Sequence, residues 1–226
     1  MIGKPYFSSA TPNSEDASSR DPERWAGQLP DGSWAAALFN RTDSTATREI
    51  DFADVLGIEG TPKIRDVWEK ADLDPATSLS TEVPTHGCQL VRITPNGSVR
   101  RCHAAFAAWG GGAGFANDLA GHAGMGYAAI EAKGASVTFA VDAASAGTYP
   151  IALRYAAEGT STLTLGAEKP DRTPVSAPQQ VDFPASDGKW ETLEESIDLD
   201  KGTNLITLLR SESDAGAVML NHIEIA

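Results

Sequence analysis

Basic residues are scarce in this chain. Its 226 residues include 18 lysines and arginines against 31 aspartates and glutamates, which gives a formal net charge of −13. Nucleic acids and anionic membrane surfaces would be repelled by this charge, so we exclude both classes of partner. Long apolar runs are absent as well, since no segment has the roughly 20 consecutive apolar residues that a membrane-spanning helix needs.

Residues 1–7 do not have the long apolar core of a secretory signal peptide. An intact secreted protein would begin with such a core, so a fragment, a mature form or an unusual gene model is indicated. Two acceptor sequons nevertheless favour a secreted glycoprotein, and they predict glycosylation at Asn40 and Asn96. We therefore expect an extracellular protein, although this chain shows no signal peptide.

Cysteine is rare, with two residues in the whole chain. Cys88 and Cys102 flank a turn signal at residues 94–97 (TPNG). If the flanking segments pair as a hairpin, the two thiols face each other and a disulfide becomes feasible. Two separate buried thiols are an equal alternative, and the sequence leaves both interpretations open.

Short segments in which apolar and polar residues alternate run along most of the chain, and no long amphipathic helix interrupts them. Six strand signals lie between residues 24 and 94, and seven more lie between residues 136 and 225. Gly, Asp, Asn or Pro separates them. The pattern predicts an all-β protein of two consecutive antiparallel β-sandwiches, residues 1–97 and 98–226, of which the second is jelly-roll-like.

Local composition predicts the form of individual segments. Residues 1–22 are rich in Ser, Pro, Asp and Asn and indicate an extended surface segment. Residues 34–39 indicate a strand buried on both faces, and residues 54–57 a tight loop. Residues 109–126 are expected to be a loop because their glycine-rich start is too flexible for a regular element. The core of the first sandwich is expected to contain Trp34, Phe39 and Trp68.

No catalytic constellation is visible. Glycosidic hydrolysis needs two carboxyl groups at a fixed separation, and we interpret the acidic candidates Glu131, Glu194 and Glu195 as solvated surface groups. No metal site is predicted, because no metal-ligand spacing is shown by His86, His103, His122 and His222. Neither a Gly-x-Ser-x-Gly motif nor a phosphate-binding glycine loop is present.

The first block resembles the C-terminal antiparallel domain of glycoside hydrolase family 27, the α-galactosidase-type family. The resemblance is carried, in order, by residues 29–34 (LPDGSW), 37–41 (ALFNR), 50–54 (IDFAD), 67–68 (VW) and 84–87 (PTHG). In that family such a domain follows a (β/α)8 catalytic barrel, whose catalytic aspartates have no counterpart in this chain. The resemblance therefore implies a chain without activity of its own, and a catalytic barrel as its partner.

The second block is similar to carbohydrate-binding modules of family 35 and the related family 6. The matching pieces are residues 126–127, 137–141, 146–149, 153–155, 201–206 and 220–224. In these modules a Glu-x-Glu on the first strand and an Asp on the last strand hold a structural calcium ion. Residues 102–106 and Asn221 take those places here without a carboxylate, so we expect the calcium site to be lost or weak and predict no cofactor. Met219 stands where the modules often carry a sugar-contacting Asn.

Sugar binding needs an exposed aromatic face beside a few hydrogen-bonding groups. The aromatic residues of the second block nearest to predicted loops or strand ends are Trp109, Tyr127 and Trp190. The polar candidates are Asn117, Asp118 and Asn221. Each aromatic residue has an alternative role as a plug of the sandwich core.

We hypothesise that the chain is the non-catalytic accessory portion of a secreted α-galactosidase-like glycoside hydrolase. Its second sandwich would bind carbohydrate, either galactose-containing or plant cell-wall glycans. Two alternatives stay open. In the first, the name α-galactosidase applies to the chain only through its parent enzyme, and in the second both sandwiches are spacers without glycan affinity.

Overall fold

The computed structural model describes residues 4–7 and 20–226. Within these residues the elements are strands in antiparallel pairs, with one five-residue α-helix and one short 3-10 turn, so the predicted all-β antiparallel fold is confirmed. Contacts divide the chain into two compact units, residues 1–97 with 123–125 and residues 98–122 with 126–226. No helix of the described part is long and apolar enough to cross a membrane.

The first unit contains a six-stranded antiparallel sheet and a separate two-stranded ribbon. Its strands are β1 (Lys4–Phe7), β2 (Arg20–Gln28), β3 (Trp34–Phe39), β4 (Ala46–Asp51), β5 (Lys63–Asp66), β6 (Asp72–Leu73), β7 (Ser78–Val83) and β8 (Cys88–Thr94). The sheet has the order β1-β2-β3-β8-β5-β6, and the ribbon pairs β4 with β7. Strand β1 is thus a paired edge strand rather than part of an unpaired extended segment, and residues 8–19 lie outside the described residues.

Strand β3 turns one of its faces into the core of the first unit. Trp34, Ala36 and Leu38 are buried, whereas Ala35, Ala37 and Phe39 are half-buried, so the prediction of Phe39 as a core residue is wrong. The prediction of burial on both faces is therefore wrong. Alternation is the rule for an antiparallel sheet with one face on the core, and the run of alanines concealed it in the sequence.

A short helix, α1 (Phe52–Leu56), replaces the tight loop that was expected at residues 54–57. The Asp51 carboxylate accepts hydrogen bonds from the backbone N–H groups of Ala53 and Asp54, and Gly57 ends the helix in the left-handed conformation with a φ of 66°. Aspartate at the N-cap and glycine after the last turn are the residues that stabilise helix ends. They allow a single turn to bury Phe52 and Leu56.

Trp68 is exposed, so its prediction as a core residue is wrong. It lies in the turn after β5, and its exposed fraction is 61%. The Asp66 carboxylate accepts hydrogen bonds from the backbone N–H groups of Trp68 at 2.8 Å and Glu69 at 2.9 Å. Because the strand ends at Asp66, the alternation that buries Ile64 does not extend to the indole.

The second unit is a sandwich of two antiparallel sheets. Its strands are β9 (Arg100–His103), β10 (Ala108–Gly110), β11 (Gly114–Ala116), β12 (Tyr127–Ile130), β13 (Ser136–Ala143), β14 (Gly147–Ala156), β15 (Ser161–Glu168), β16 (Gln179–Phe183), β17 (Glu191–Leu199), β18 (Gly202–Leu209) and β19 (Val218–Ile225). One sheet has the order β10-β13-β18-β15-β16, and the other has the order β11-β12-β19-β14-β17 with β9 also on β19. Alternate residues of both sheets form one apolar core.

Two short strands lie in the glycine-rich segment that was predicted to be loop only. Strand β10 pairs with β13 and strand β11 pairs with β12, so that prediction is wrong for these residues. Backbone pairing does not need side chains, so a glycine-rich segment can still form strands. Gly111, which lies between the two strands, shows why glycine is required there. Its φ is 59°, and a Cβ there would lie 1.8 Å from the carbonyl oxygen of Gly134.

Strand β19 is central in its sheet and contains a β-bulge. It pairs with β14 along one edge, and along the other edge with β12 and then β9. Arg154 lies opposite His222 and Tyr155 lies opposite Leu220, so Asn221 is the extra residue of the bulge.

Cys88 and Cys102 are free thiols in strands that do not pair with each other. Cys88 lies opposite Phe39 in the first unit, and Cys102 lies opposite Ile223 in the second. The hairpin on which a disulfide depended is therefore absent, and the structure has the alternative of two separate thiols. Burial raises the pKa of Cys102 to about 12, which keeps this thiol protonated and unreactive.

The two sequon asparagines differ in exposure. Asn40 is 1% exposed, and its amide nitrogen donates hydrogen bonds to the carbonyl oxygens of Ser44, Val83 and Pro84. An attached glycan would break these bonds, so the folded domain has no room for glycosylation there. Asn96 is exposed, and its glycosylation stays a prediction.

Candidate functional site

Aromatic and charged side chains gather on the outer face of the six-stranded sheet of the second unit. Ala128 of β12 and the pair Leu153 and Tyr155 of β14 face the core. Because successive side chains of a strand point to opposite faces, Tyr127 and Arg154 face outward. The connection between β11 and β12 supplies residues 117–122, and Trp190 immediately precedes β17.

The rings of this cluster are in mutual contact. The ring centroids of Tyr127 and Trp190 are 5.2 Å apart in an edge-to-face arrangement, and those of His122 and Tyr127 are 6.1 Å apart. The guanidinium carbon of Arg154 lies 6.0 Å from the Trp190 centroid, within the range of a cation–π contact. We call Asp118, His122, Tyr127, Arg154 and Trp190 the aromatic cluster.

Hydrogen bonds fasten the 117–122 connection over these rings. The Trp190 indole N–H donates to the Ala120 carbonyl at 3.0 Å, and Arg154 donates to the Gly121 carbonyl at 3.2 Å. Gly121 has a φ of +87°, and a Cβ on it would lie 3.3 Å from Cδ1 of Trp190. Glycine thus permits the close approach of this connection to the indole.

Tyr127 and Asp118 form the polar end of the aromatic cluster. The Tyr127 hydroxyl donates a hydrogen bond to the Asp118 carboxylate. Burial, reinforced by this hydrogen bond and by the Asp118 charge, raises the pKa of Tyr127, so the hydroxyl stays protonated at all physiological pH values. Tyr127 is 4% exposed, whereas Asp118 is exposed and His122, Arg154 and Trp190 are half-buried, so a ligand can reach the indole, the carboxylate and the guanidinium but not the phenol ring.

The structure brings together some of the predicted site residues. Tyr127, Trp190 and Asp118 lie in the aromatic cluster, and half-buried Asn117 is next to Asp118 in the chain. Sequence reasoning missed His122 and Arg154. Arg154 alternates with the core residues Leu153 and Tyr155, and this period-2 signal placed it on the outer face.

Trp109 and Asn221 have other surroundings. Trp109 packs against the sandwich core, and its indole N–H donates to the Ala104 carbonyl at 2.8 Å. Asn221 is 0% exposed, and its amide donates to the Gly126 carbonyl at 3.0 Å. We therefore leave both residues out of the candidate site.

Groups suited to metal binding are not assembled in the described part of the chain. In residues 4–7 and 20–226, no group of three or more His, Cys, Asp and Glu residues could hold a metal ion. What the aromatic cluster offers is an indole face beside a cation, a carboxylate and carbonyl groups. This chemistry suits non-covalent binding of a polar ring with apolar faces.

Comparison with known proteins finds that both β domains are similar to parts of glycoside hydrolases. The family model of the alpha galactosidase C-terminal beta sandwich domain matches residues 19–93. Over its whole length the chain is similar to the isomalto-dextranase of Arthrobacter globiformis. The two are 43% identical over 243 residues, which cover 100% of this chain and 38% of that enzyme.

One solved structure and a second relative show further similarity to glycoside hydrolases. The structure of the Arthrobacter globiformis T6 enzyme complexed with panose has a TM-score of 0.93 and 45% identity, covering 100% of this chain and 40% of that one. An α-galactosidase of Cyamopsis tetragonoloba is 35% identical over 80 residues, which are 34% of this chain and 20% of that protein. This chain thus spans less than half the length of the curated relatives that it matches.

Proposed function

We propose that the chain is the non-catalytic accessory part of a secreted, isomalto-dextranase-like glycoside hydrolase and that its second domain binds α-glucan. The observation that carries the proposal is the similarity to isomalto-dextranase over the entire chain. The α-galactosidase similarity covers 34% of the chain, so a parent with α-galactosidase activity is the second candidate. In both cases the first domain supports a catalytic barrel outside the cell.

The aromatic cluster supports glycan binding through the accessible part of Trp190. Pyranose rings present C–H groups that pack on an indole, and the Arg154 guanidinium carbon lies 6.0 Å from the centroid of this indole. Asp118 is exposed and accepts hydrogen bonds, as sugar hydroxyls require. Because the indole N–H is fixed on Ala120, the ring is pre-organised and little rotamer entropy is lost on binding.

Replacing Trp190 with alanine is expected to weaken binding of panose and isomalto-oligosaccharides by about fivefold or more, since a stacking contact is worth ~1 kcal/mol or more. Isothermal titration of the whole chain measures the change. Trp68→Ala is the matched control, because Trp68 is an exposed tryptophan of the other domain.

Parallel titrations with galactose-, mannose- and uronate-containing glycans separate the candidate ligands. Preference for galactosides would favour the α-galactosidase-type parent. If wild-type chain binds none of these sugars at millimolar concentration, the glycan-binding proposal fails and the spacer interpretation replaces it. Equal losses in Trp190→Ala and Trp68→Ala would contradict the assignment of the site.

The chain alone is expected to show no turnover of aryl α-glucosides or aryl α-galactosides. Hydrolysis requires two carboxyl groups across the scissile bond, and the aromatic cluster offers Asp118 alone. A chromogenic assay at high protein concentration measures this. Turnover that a substitution in the chain abolishes would contradict the non-catalytic assignment.

A further inference from the structure

A second polar cluster lies on the side of the six-stranded sheet that faces away from the sandwich core, where the first strand of the second domain meets its last. Strand β9 lies opposite β19 with Arg101 against Glu224 and His103 against His222. Cys102 and Ile223, the pair between them, belong to the core. The flanking pairs therefore face away from the core. We call Arg101, His103, Asn221, His222 and Glu224 the strand-junction cluster.

Ionic and hydrogen-bonding contacts connect its members. Arg101 Nε lies 2.7 Å from Glu224 Oε1, and His222 Nε2 lies 3.5 Å from the same oxygen. His222 Nδ1 lies 3.0 Å from Asn221 Oδ1, and the ring centroids of His103 and His222 are 5.4 Å apart. Burial is the main reason that the pKa of His103 falls to about 3 and that of His222 to about 2. Both imidazoles are thus neutral, and Arg101 provides the positive charge of the cluster.

The resemblance to family 35 modules implies a structural calcium ion at this junction, so the donor set decides whether calcium fits. Calcium takes six to eight oxygen ligands, usually including several carboxylates. Within the strand-junction cluster, Glu224 carries the one carboxylate, and that carboxylate is paired with Arg101. The Asn221 oxygen is within hydrogen-bonding distance of His222. A permanent guanidinium charge beside the same oxygens would repel a divalent cation. These residues do not fit calcium.

We infer that Arg101 takes the structural place of the metal ion and that the Arg101–Glu224 pair ties the first strand of this domain to the last one without calcium. The guanidinium supplies the positive charge that a carboxylate at a strand junction requires. Because the charge belongs to the chain, it cannot be removed by a chelator. The inference does not depend on the proposed glycan binding.

Calcium titration of the wild-type chain gives a direct test. Protein treated with EDTA is expected to melt at the same temperature before and after addition of millimolar calcium chloride, and isothermal titration with calcium chloride is expected to show no binding. An increase of several degrees in the melting temperature, with saturable calcium binding, would overturn the inference, since a ligand of the folded state raises its stability.

A substitution tests the role of Arg101 itself. Arg101→Gln is expected to lower the melting temperature of the second domain by about 3–6 °C, because the half-buried Glu224 charge loses its partner. Arg172→Gln is the matched control, since Arg172 pairs with Glu168 of the same domain but is 68% exposed.

The double variant Arg101→Gln/Glu224→Gln is expected to melt at a higher temperature than Arg101→Gln. Equal melting of Arg101→Gln and Arg172→Gln would overturn the inference. If Arg101→Gln does not fold, the calcium titration of the wild-type chain decides alone.

Discussion

Replacing Trp34 with alanine is expected to lower the free energy of unfolding of the first domain by about 3–5 kcal/mol. Trp34 is 1% exposed, and its strand lies between β2 and β8, where neighbours on both sides resist collapse into the space left by the indole. The cost therefore includes a cavity as well as lost apolar burial. Hydrogen exchange of the β3 and β8 backbone amides during a urea titration measures the stability of this domain separately.

Trp68→Ala provides the comparison within the same domain. Trp68 is 61% exposed, so its removal is expected to cost less than about 1 kcal/mol. Equal losses from Trp34→Ala and Trp68→Ala would show that the burial described for the first domain is incorrect.

Replacing Asp214 with alanine is expected to cost the second domain about 3 kcal/mol or more. Asp214 is 2% exposed, and its carboxylate accepts hydrogen bonds from Gln180 at 2.9 Å, from Thr164 at 2.9 Å and from the backbone and hydroxyl of Ser211. Burial by itself raises the pKa of Asp214, but the bonds from Gln180 and Ser211 outweigh it and hold this pKa far below its ordinary value. Alanine removes the acceptor that all of these donors share.

Urea unfolding monitored by hydrogen exchange in β15 and β18 measures the effect. Asp171→Ala is the control, because Asp171 also accepts a backbone hydrogen bond, from Thr173 at 3.0 Å, but is exposed. Its expected cost is below about 1 kcal/mol. A loss in Asp214→Ala no larger than in Asp171→Ala would contradict a structural role for the buried carboxylate.

The strand pattern of the second domain was predictable because both of its sheets bury one face against a single core. Strand β13 alternates buried and more exposed residues, and β15 does the same along its whole length. The short strands β9, β10, β11 and β12 were not predicted, because the seven strand signals of this domain begin at residue 136. Strand β10 is held by backbone pairing with β13, and strand β11 by backbone pairing with β12. The glycine-rich sequence of this segment contains no alternation of apolar and polar side chains that could indicate such pairing.

Burial at turns was less accessible to sequence reasoning than burial in strands. Trp68 looks like a core residue by type, yet Asp66 ends its strand two residues earlier and caps the turn. In the same way, the sequon makes Asn40 look like an exposed glycosylation site. Its amide nitrogen instead donates hydrogen bonds to carbonyl groups of residues more than forty positions away. The burial of Asn40 depends on tertiary partners that no local pattern specifies, whereas the exposure of Trp68 follows from a local turn at Asp66.

The candidate site was predictable in its aromatic residues but not in its assembly. Tyr127 and Trp190 are 63 residues apart in the chain, and their 5.2 Å ring contact depends on sheet order. Trp109 was an equally good candidate for the sugar-binding site by its sequence position, because it is followed by glycines. Its hydrogen bond to Ala104 and its contact with the core were fixed by the pairing of β10 with β13.

The pairing of β9 with β19 also determines when this domain can acquire its structure. Residues 100–103 pair with residues 222–225. The first strand of the domain therefore cannot pair until the last strand is present. Closing the long chain segment between these two strands costs conformational entropy before any contact compensates for it. Domains whose strand pairs are distant in sequence therefore fold slowly. During synthesis, β9, β12 and β14 would all emerge with edges that β19 has yet to cover. We therefore expect closure of this sheet around β19 to be a late step in the folding of the domain.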